Sequence, residues 1–392
     1  MTTRIGMITP SSNTCVEPCT YALMAGIPDT TVHFTRTPVT RIALDDSANH
    51  QFDTAPMVAA AELLADAHVD SIVWNGTSGS WLGLDHDRAL CAAITAHTGI
   101  AATTSSLAIL EACRALGATR IGLVTPYTAD VVGAIRTEYA RYGIDIVAET
   151  HSGLTDNHAF ANLTQDEVTA MVRSVVTHAD AVVILCTNVD GTGATALEPV
   201  LGIPVIDSIL ASAWAGLRLV DDTAGFHGHG TLLDSGSLRA TLQHIIDDLR
   251  LTTGSDRSTL RIDLPALGLT VQTATAESCG DGVASIRSDT SLPQRRLNTV
   301  EWLEANRKPL IQNDFHLPPE PPQALRDVYG VAAQMLSPIE VGPDMTGWIS
   351  VHSMTERTWT LDDIAALETA THTVADILRD DATTRSGRPA IQ

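Results

Sequence analysis

The stretch DAVVILCTNVDGTG, Asp180 to Gly193, decides how this chain folds. Its first half is a continuous apolar run of strand length, and it breaks off at a thiol, Cys186, followed by small and polar residues suited to a loop. A cysteine there stands at a strand mouth. In open parallel sheets ligands bind at the carboxyl ends of strands, so the position suits chemistry.

Three echoes lead outward from it. DSIVWNGTSG from Asp70 lies 110 residues before the Asp180 stretch and places Gly76 on Cys186. RIGMITPS from Arg4 returns as RIGLVTPY from Arg120, an offset of 116, and GIAATTS from Gly99 returns as GIPVIDS from Gly202, an offset of 103. The same order with slightly different spacings indicates a duplicated unit, whose two halves are expected to face each other across a cleft.

From Arg4 to about Asp248 short apolar runs alternate with amphipathic helical stretches, which predicts an α/β fold with parallel sheets. Strands are expected near 4–9, 31–36, 70–75, 100–103, 120–125, 145–149, 181–186 and 204–207. The polar segment 251–259 reads as a linker between a first domain at 1–250 and a second at 260–392. The lobes of the first are expected at about 1–115 plus 208–250, and at 116–207. In the second domain, strand-like runs near 259–264, 268–274, 283–287, 308–312, 331–336 and 346–352, with helices at the margins, predict α+β with an antiparallel sheet.

Composition narrows the function. The formal charge of −22 argues against nucleic acid or an anionic membrane as partner. No apolar run has membrane-span length, and MTTRIGMITP lacks the basic and apolar regions of a secretory signal, so a cytoplasmic location is expected. Six cysteines are scattered rather than framed, as reduced thiols are, and Cys15 with Cys19 has no second ligand pair to make a zinc site.

The loops after the predicted strands collect Pro10, Ser11, Ser12 and Asn13, then Asn75 to Ser78, then Thr125 to Tyr127, Thr155 to Asn157, and Cys186 to Asn188. This is an inventory of hydroxyls, amides, glycine and one thiol. Such groups donate hydrogen bonds to a carboxylate without carrying a positive charge. Neither GxGxxG nor a P-loop is present, nor a metal set, so no cofactor and no metal is expected, and Cys186 remains the conspicuous acid/base or nucleophile.

TPSSN at 9–13, NGTSGS at 75–80, RALGATRIGLVTPY at 114–127, DAVVILC at 180–186 and LGIPVIDS at 201–208 resemble the aspartate/glutamate racemase superfamily, in the branch of maleate cis-trans isomerase and arylmalonate decarboxylase. That resemblance implies two pseudo-symmetric lobes that bind a small carboxylic acid between them, usually with a cysteine from each. Here Gly76 stands at the first cysteine position. The decarboxylase pattern implies that Gly76, Thr77, Ser78 and Tyr127 form an oxyanion pocket while Cys186 delivers a proton. Pro10, Ser11, Asn13, Asn157 and Thr187 are expected to contact substrate, Asn13 and Asn157 by likeness to the isomerase. Decarboxylation leads, with cis-trans isomerisation or racemisation by Cys186, and non-catalytic metabolite sensing, left open. Gly76→Cys is expected to add racemising activity if the two sites face each other.

Residues from about 260 to 380 resemble a GAF domain, carried by NTVEWLEANRKPLIQND from Asn298, AQMLSPIEVGPDMTGWISVHS ending at Ser353, and TWTLDDIAALETATHTVADIL. The resemblance implies a domain that binds a small molecule, senses light or redox state, or simply dimerises, and a homo-oligomer is expected.

Overall fold

A computed structural model describes residues 2–27, 29–220 and 229–386. The chain divides into two compact units, Met1–Ser237 and Leu238–Gln392.

The first unit holds two four-stranded parallel sheets. One consists of β1 (Thr3–Pro10), β2 (Thr30–Thr37), β3 (Ser71–Trp74) and β4 (Ala101–Thr104) in the order β2-β1-β3-β4. The other consists of β5 (Arg120–Thr125), β6 (Asp145–His151), β7 (Ala181–Ile184) and β8 (Val205–Asp207) in the order β6-β5-β7-β8. The repeated order is what a duplicated unit requires. Both central strands, SIVW and AVVI, are buried along their whole length, the mark of a sheet covered on both faces.

The echoes coincide down to single hydrogen bonds. Asp70 accepts from the Arg4 backbone N–H at 2.7 Å, and Asp180 accepts from that of Arg120 at 2.9 Å, so each aspartate clamps the start of the neighbouring strand. At the opposite end, Thr104 caps helix Ser105–Leu116 through the Leu107 N–H, and Asp207 caps helix Ser208–Arg218 through those of Ile209 and Leu210. Helix Ser208–Arg218 packs on the first sheet, with Ser71 Oγ donating to the Gly216 carbonyl at 2.8 Å.

The second unit is a five-stranded antiparallel sheet of β9 (Arg257–Ile262), β10 (Ala276–Cys279), β11 (Leu310–Gln312), β12 (Ala333–Glu340) and β13 (Met345–Ser353), in the order β10-β9-β13-β12-β11. Helix Thr231–Thr253 contributes Leu238, Leu242, Ile246 and Leu249, and helix Leu361–Ser386 contributes Leu367, Val374 and Leu378, to a core closed by Leu260, Met335 and Val351. That apolar stripe corrects the expected linker at 251–259. Residues 251–253 end a helix whose stripe is buried in this core, and Arg257 begins β9.

The runs expected as strands at 268–274 and 283–287 are irregular, and β10 lies between them. Several of their main-chain groups are satisfied by side chains instead of a ladder. Arg261 donates to the carbonyls of Val271, Gln272 and Ile286, Arg257 donates to Ala284, and Glu277 accepts from the Ile286 N–H. Among the described residues no helix is long and apolar enough to cross a membrane.

Candidate active site

Two strand mouths meet in the first unit. β7 stops at Ile184, two residues short of the expected end, and Cys186 sits in the turn beyond it. β3 stops at Trp74, with Gly76 at the equivalent place. The Cys186 N–H donates to Ser208 Oγ at 3.3 Å, its sulfur accepts from the Asn188 N–H at 3.4 Å, and the Tyr127 hydroxyl lies near enough to favour the thiolate. The same phenol lies 2.7 Å from Thr77 Oγ1. A Thr77, Tyr127, Cys186 relay thus ties the glycine side of the cleft to the thiol side, and all three residues are buried.

The relay ends on a neutral acid. Burial pushes the Cys186 thiol up to about 12, while the Tyr127 hydroxyl and the Asn188 N–H pull it down and the neighbourhood of Cys15 and Asp207 adds to the rise. Burial also holds the Tyr127 phenol well above its ordinary value. Opposite the thiol, the consecutive backbone N–H groups of Gly76, Thr77 and Ser78 have no acceptor among the described residues. Three such donors in a row are suited to an oxyanion. Ser78 leads into the short helix Gly79–Leu82, and its carbonyl accepts from the N–H groups of Trp81 and Leu82.

Beside Tyr127 runs a row of edge-to-face aromatic contacts, Phe52 to Trp81 at 6.0 Å, Trp81 to Tyr127 at 5.2 Å and Tyr127 to Phe160 at 5.5 Å. It gives this side of the relay an apolar wall drawn from both lobes.

The expected substrate contacts are brought together, largely as ties between lobes. Asn13 Nδ2 donates to the Thr187 carbonyl at 3.0 Å and to its hydroxyl at 3.2 Å, while Asn13 Oδ1 accepts from the N–H groups of Cys15 and Val16. Thr187 Oγ1 donates to the Asn75 carbonyl at 2.8 Å. Asn157 Nδ2 donates to Ser12 Oγ at 2.8 Å, and the Asn157 carbonyl accepts from Asn188 Nδ2. Pro10 is buried at the end of β1, its carbonyl accepting from the Asn13 N–H. Ser11 is exposed, with its hydroxyl turned onto the Val39 backbone.

Two residues of the site escape a reading of the sequence. Asp207 is fully buried, and burial raises its carboxyl to about 7, against the N–H groups of Leu210 and Ile209 that favour its ionised form. Its echo with Thr104 marks it as a cap, and burial makes it a titrating group. Trp74 reads as strand interior, yet the two-residue period of a strand puts it on the same side as residue 76.

In the second unit a cavity of about 40 Å³ is lined by Thr259, Arg261, Gln294, Thr299, Ser350 and His352, over Leu336 and Trp348. Arg261 and the adjacent, fully buried Arg257 have no carboxylate partner among the described residues.

Residues 5–233 match the family model described as arylmalonate decarboxylase, and residues 237–378 match that of the GAF domain. The maleate isomerase of Nocardia farcinica is 28% identical over 249 residues, 60% of this chain and 96% of that protein. The arylmalonate decarboxylase of Bordetella bronchiseptica is 32% identical over 165 residues, 41% of this chain and 69% of that protein. A solved structure of the Nocardia farcinica maleate cis-trans isomerase, a Cys-to-Ser mutant with a covalently bound succinylcysteine intermediate, superimposes with a TM-score of 0.56 at 25% identity, covering 60% of this chain and 99% of that one.

Proposed function

Because the chain belongs to the arylmalonate decarboxylase family through residues 5–233, we propose that it decarboxylates a small malonate-type acid, with Cys186 protonating one face of the resulting enediolate. The observation that carries this reading is the run of unpaired N–H groups at 76–78, joined through Thr77 and Tyr127 to a thiol that stays protonated at neutral pH. Loss of CO2 moves charge onto the remaining carboxyl oxygens, where fixed donors bind the transition state more strongly than the substrate. The aromatic row disfavours a charged, desolvated carboxylate beside it. The thiol then gives up its proton, and the Tyr127 hydroxyl and Asn188 N–H stabilise the thiolate left behind.

Isomerisation of a cis-enedioate is the second reading, favoured by the likeness to maleate isomerase. It needs Cys186 as a thiolate nucleophile, which a thiol at about 12 supplies sparingly. The test is to incubate the full chain with phenylmalonate, other substituted malonates and maleate, following CO2 and fumarate. CO2 release abolished in Cys186→Ala supports decarboxylation. Fumarate from maleate supports isomerisation, and binding without turnover supports a sensor.

The second unit is read as a binding module for a small anion. Burying two guanidinium groups with the charge of Glu277 nearby but no carboxylate in contact among the described residues is costly, and a ligand carboxylate in the cavity beside Arg261 offsets that cost. Small carboxylates are expected to raise the Tm of the second transition in the full chain, and Ser350→Leu, which fills the cavity, to abolish that rise while CO2 release persists.

A further inference from the structure

Trp74 occupies the place that the missing first-lobe side chain would take. A Cβ built on Gly76 would stand 2.3 Å from indole Cε2 and 2.4 Å from both Cζ2 and Nε1. The tryptophan is fully buried, and its Nε1 has no hydrogen-bond partner among the described residues. An indole nitrogen only donates, and a buried donor left without an acceptor calls for an explanation. Its carbonyl, by contrast, accepts from Ser105 Oγ at 3.3 Å, which holds the residue at the strand end.

This unpaired donor lies against Gly76, where the run of unpaired backbone N–H groups begins. The four groups share one property: each donates, none accepts a proton, and none is charged. A carboxylate, which only accepts when ionised, is the complement of such a set.

We propose that Trp74 is a substrate-contacting residue, its indole filling the space of the absent acid/base and its Nε1–H donating to a carboxylate oxygen of the bound acid. The inference rests on the reading of this cleft as a site for a small carboxylic acid. It also accounts for one-sided chemistry. The glycine lobe presents donors and an aromatic plane, with nothing there to take up a proton. On the same ground Gly76→Cys alone is expected to add no racemising activity, because its Cβ collides with the indole and cannot place a thiol without displacing it.

The test uses full-length Cys186→Ala protein with ¹⁵N-labelled tryptophan, titrated with phenylmalonate. The Trp74 indole resonance is assigned by its disappearance in Trp74→Phe, which keeps an aromatic ring and removes the donor. The Trp74 indole proton is expected to move downfield further than any other indole, and Trp74→Phe to weaken phenylmalonate binding about tenfold, the worth of one hydrogen bond. Binding that shifts the amides of 76–78 and leaves this indole unmoved overturns the inference while sparing the carboxylate reading. Absence of binding by every malonate and by maleate removes both. A second arm stands on wild-type Cys186. Solvent deuterium exchange into 2-phenylpropionate is expected for Trp74→Leu/Gly76→Cys and not for Gly76→Cys, and equal exchange in the two overturns the assignment of that space to the indole.

Discussion

Tyr127→Phe isolates the relay between the two lobes. The substitution keeps the ring and its contacts with Trp81 at 5.2 Å and Phe160 at 5.5 Å, and deletes the hydroxyl that pairs with Thr77 Oγ1 and favours the Cys186 thiolate. When Cys186 delivers its proton, the developing thiolate loses a hydrogen bond to a charged group, worth about 1.5–3 kcal/mol, or roughly a 10- to 100-fold fall in kcat. KM should change little, because the hydroxyl serves the transition state and not the bound acid. Thr77 Oγ1 is left without its 2.7 Å partner, and about 1 kcal/mol of stability goes with it. The thiol itself, already pushed up to about 12 by burial, rises further without the phenol. The assay is steady-state CO2 release from phenylmalonate, with Tm measured alongside. A kcat within about two-fold of wild type would refute the relay, since an interaction made in the transition state cannot be removed at so small a cost.

Asp207→Asn reports on the buried carboxyl. Between the unfolded carboxyl range near 4 and the folded value of about 7, the folded chain holds a proton that the unfolded chain gives up, so this group makes stability fall as pH rises through that window. The asparagine retains the cap and removes the dependence, so the variant should match wild type in acid and exceed it above neutrality, by a few kcal/mol at most, in Tm measured against pH. Asn13→Ala should act chiefly on stability, by about 2 kcal/mol, since its amide ties Thr187 to the start of helix Val16–Met24; a rise in KM with Tm unchanged would contradict that role. Asp180→Ala should lower Tm by a few degrees, the loss of about 1–2 kcal/mol, and leave kcat alone, because its bonds to Thr119 and Arg120 lie at the far end of the strands.

Much of the first unit is legible because its signals are local and doubled. The apolar runs at 70–75 and 180–185 can only be interior strands, and each confirms its echo. Cys186 stands out because a thiol ends the second run where glycine ends the first. The second unit is less legible where burial depends on distant side chains. Arg257, Arg261 and Glu277 act as surrogate ladders for 268–274 and 283–287, so alternation there does not produce strands. The segment 251–259 reads as a linker because it is polar in composition, whereas the stripe at 238, 242, 246 and 249 assigns the preceding helix to the second core. In the site, residue types were readable and partners were not. Asn13 and Asn157 carry amides suited to a carboxylate, yet each spends its Nδ2 on a bond to the opposite lobe. Trp74 could be placed on the side of residue 76 by strand period alone, but that its indole reaches that far depends on a rotamer the sequence does not reveal.

The paired clamps, Asp70 on Arg4 and Asp180 on Arg120, sit at the amino ends of strands whose opposite ends carry the two mismatched corners, Gly76 and Cys186. Anchorage and reactivity are thereby kept a full strand apart. A frame so divided can exchange its reactive tips for another acid's shape while its footings stay as they are, and the two halves, twins at the base, are free to be strangers at the rim.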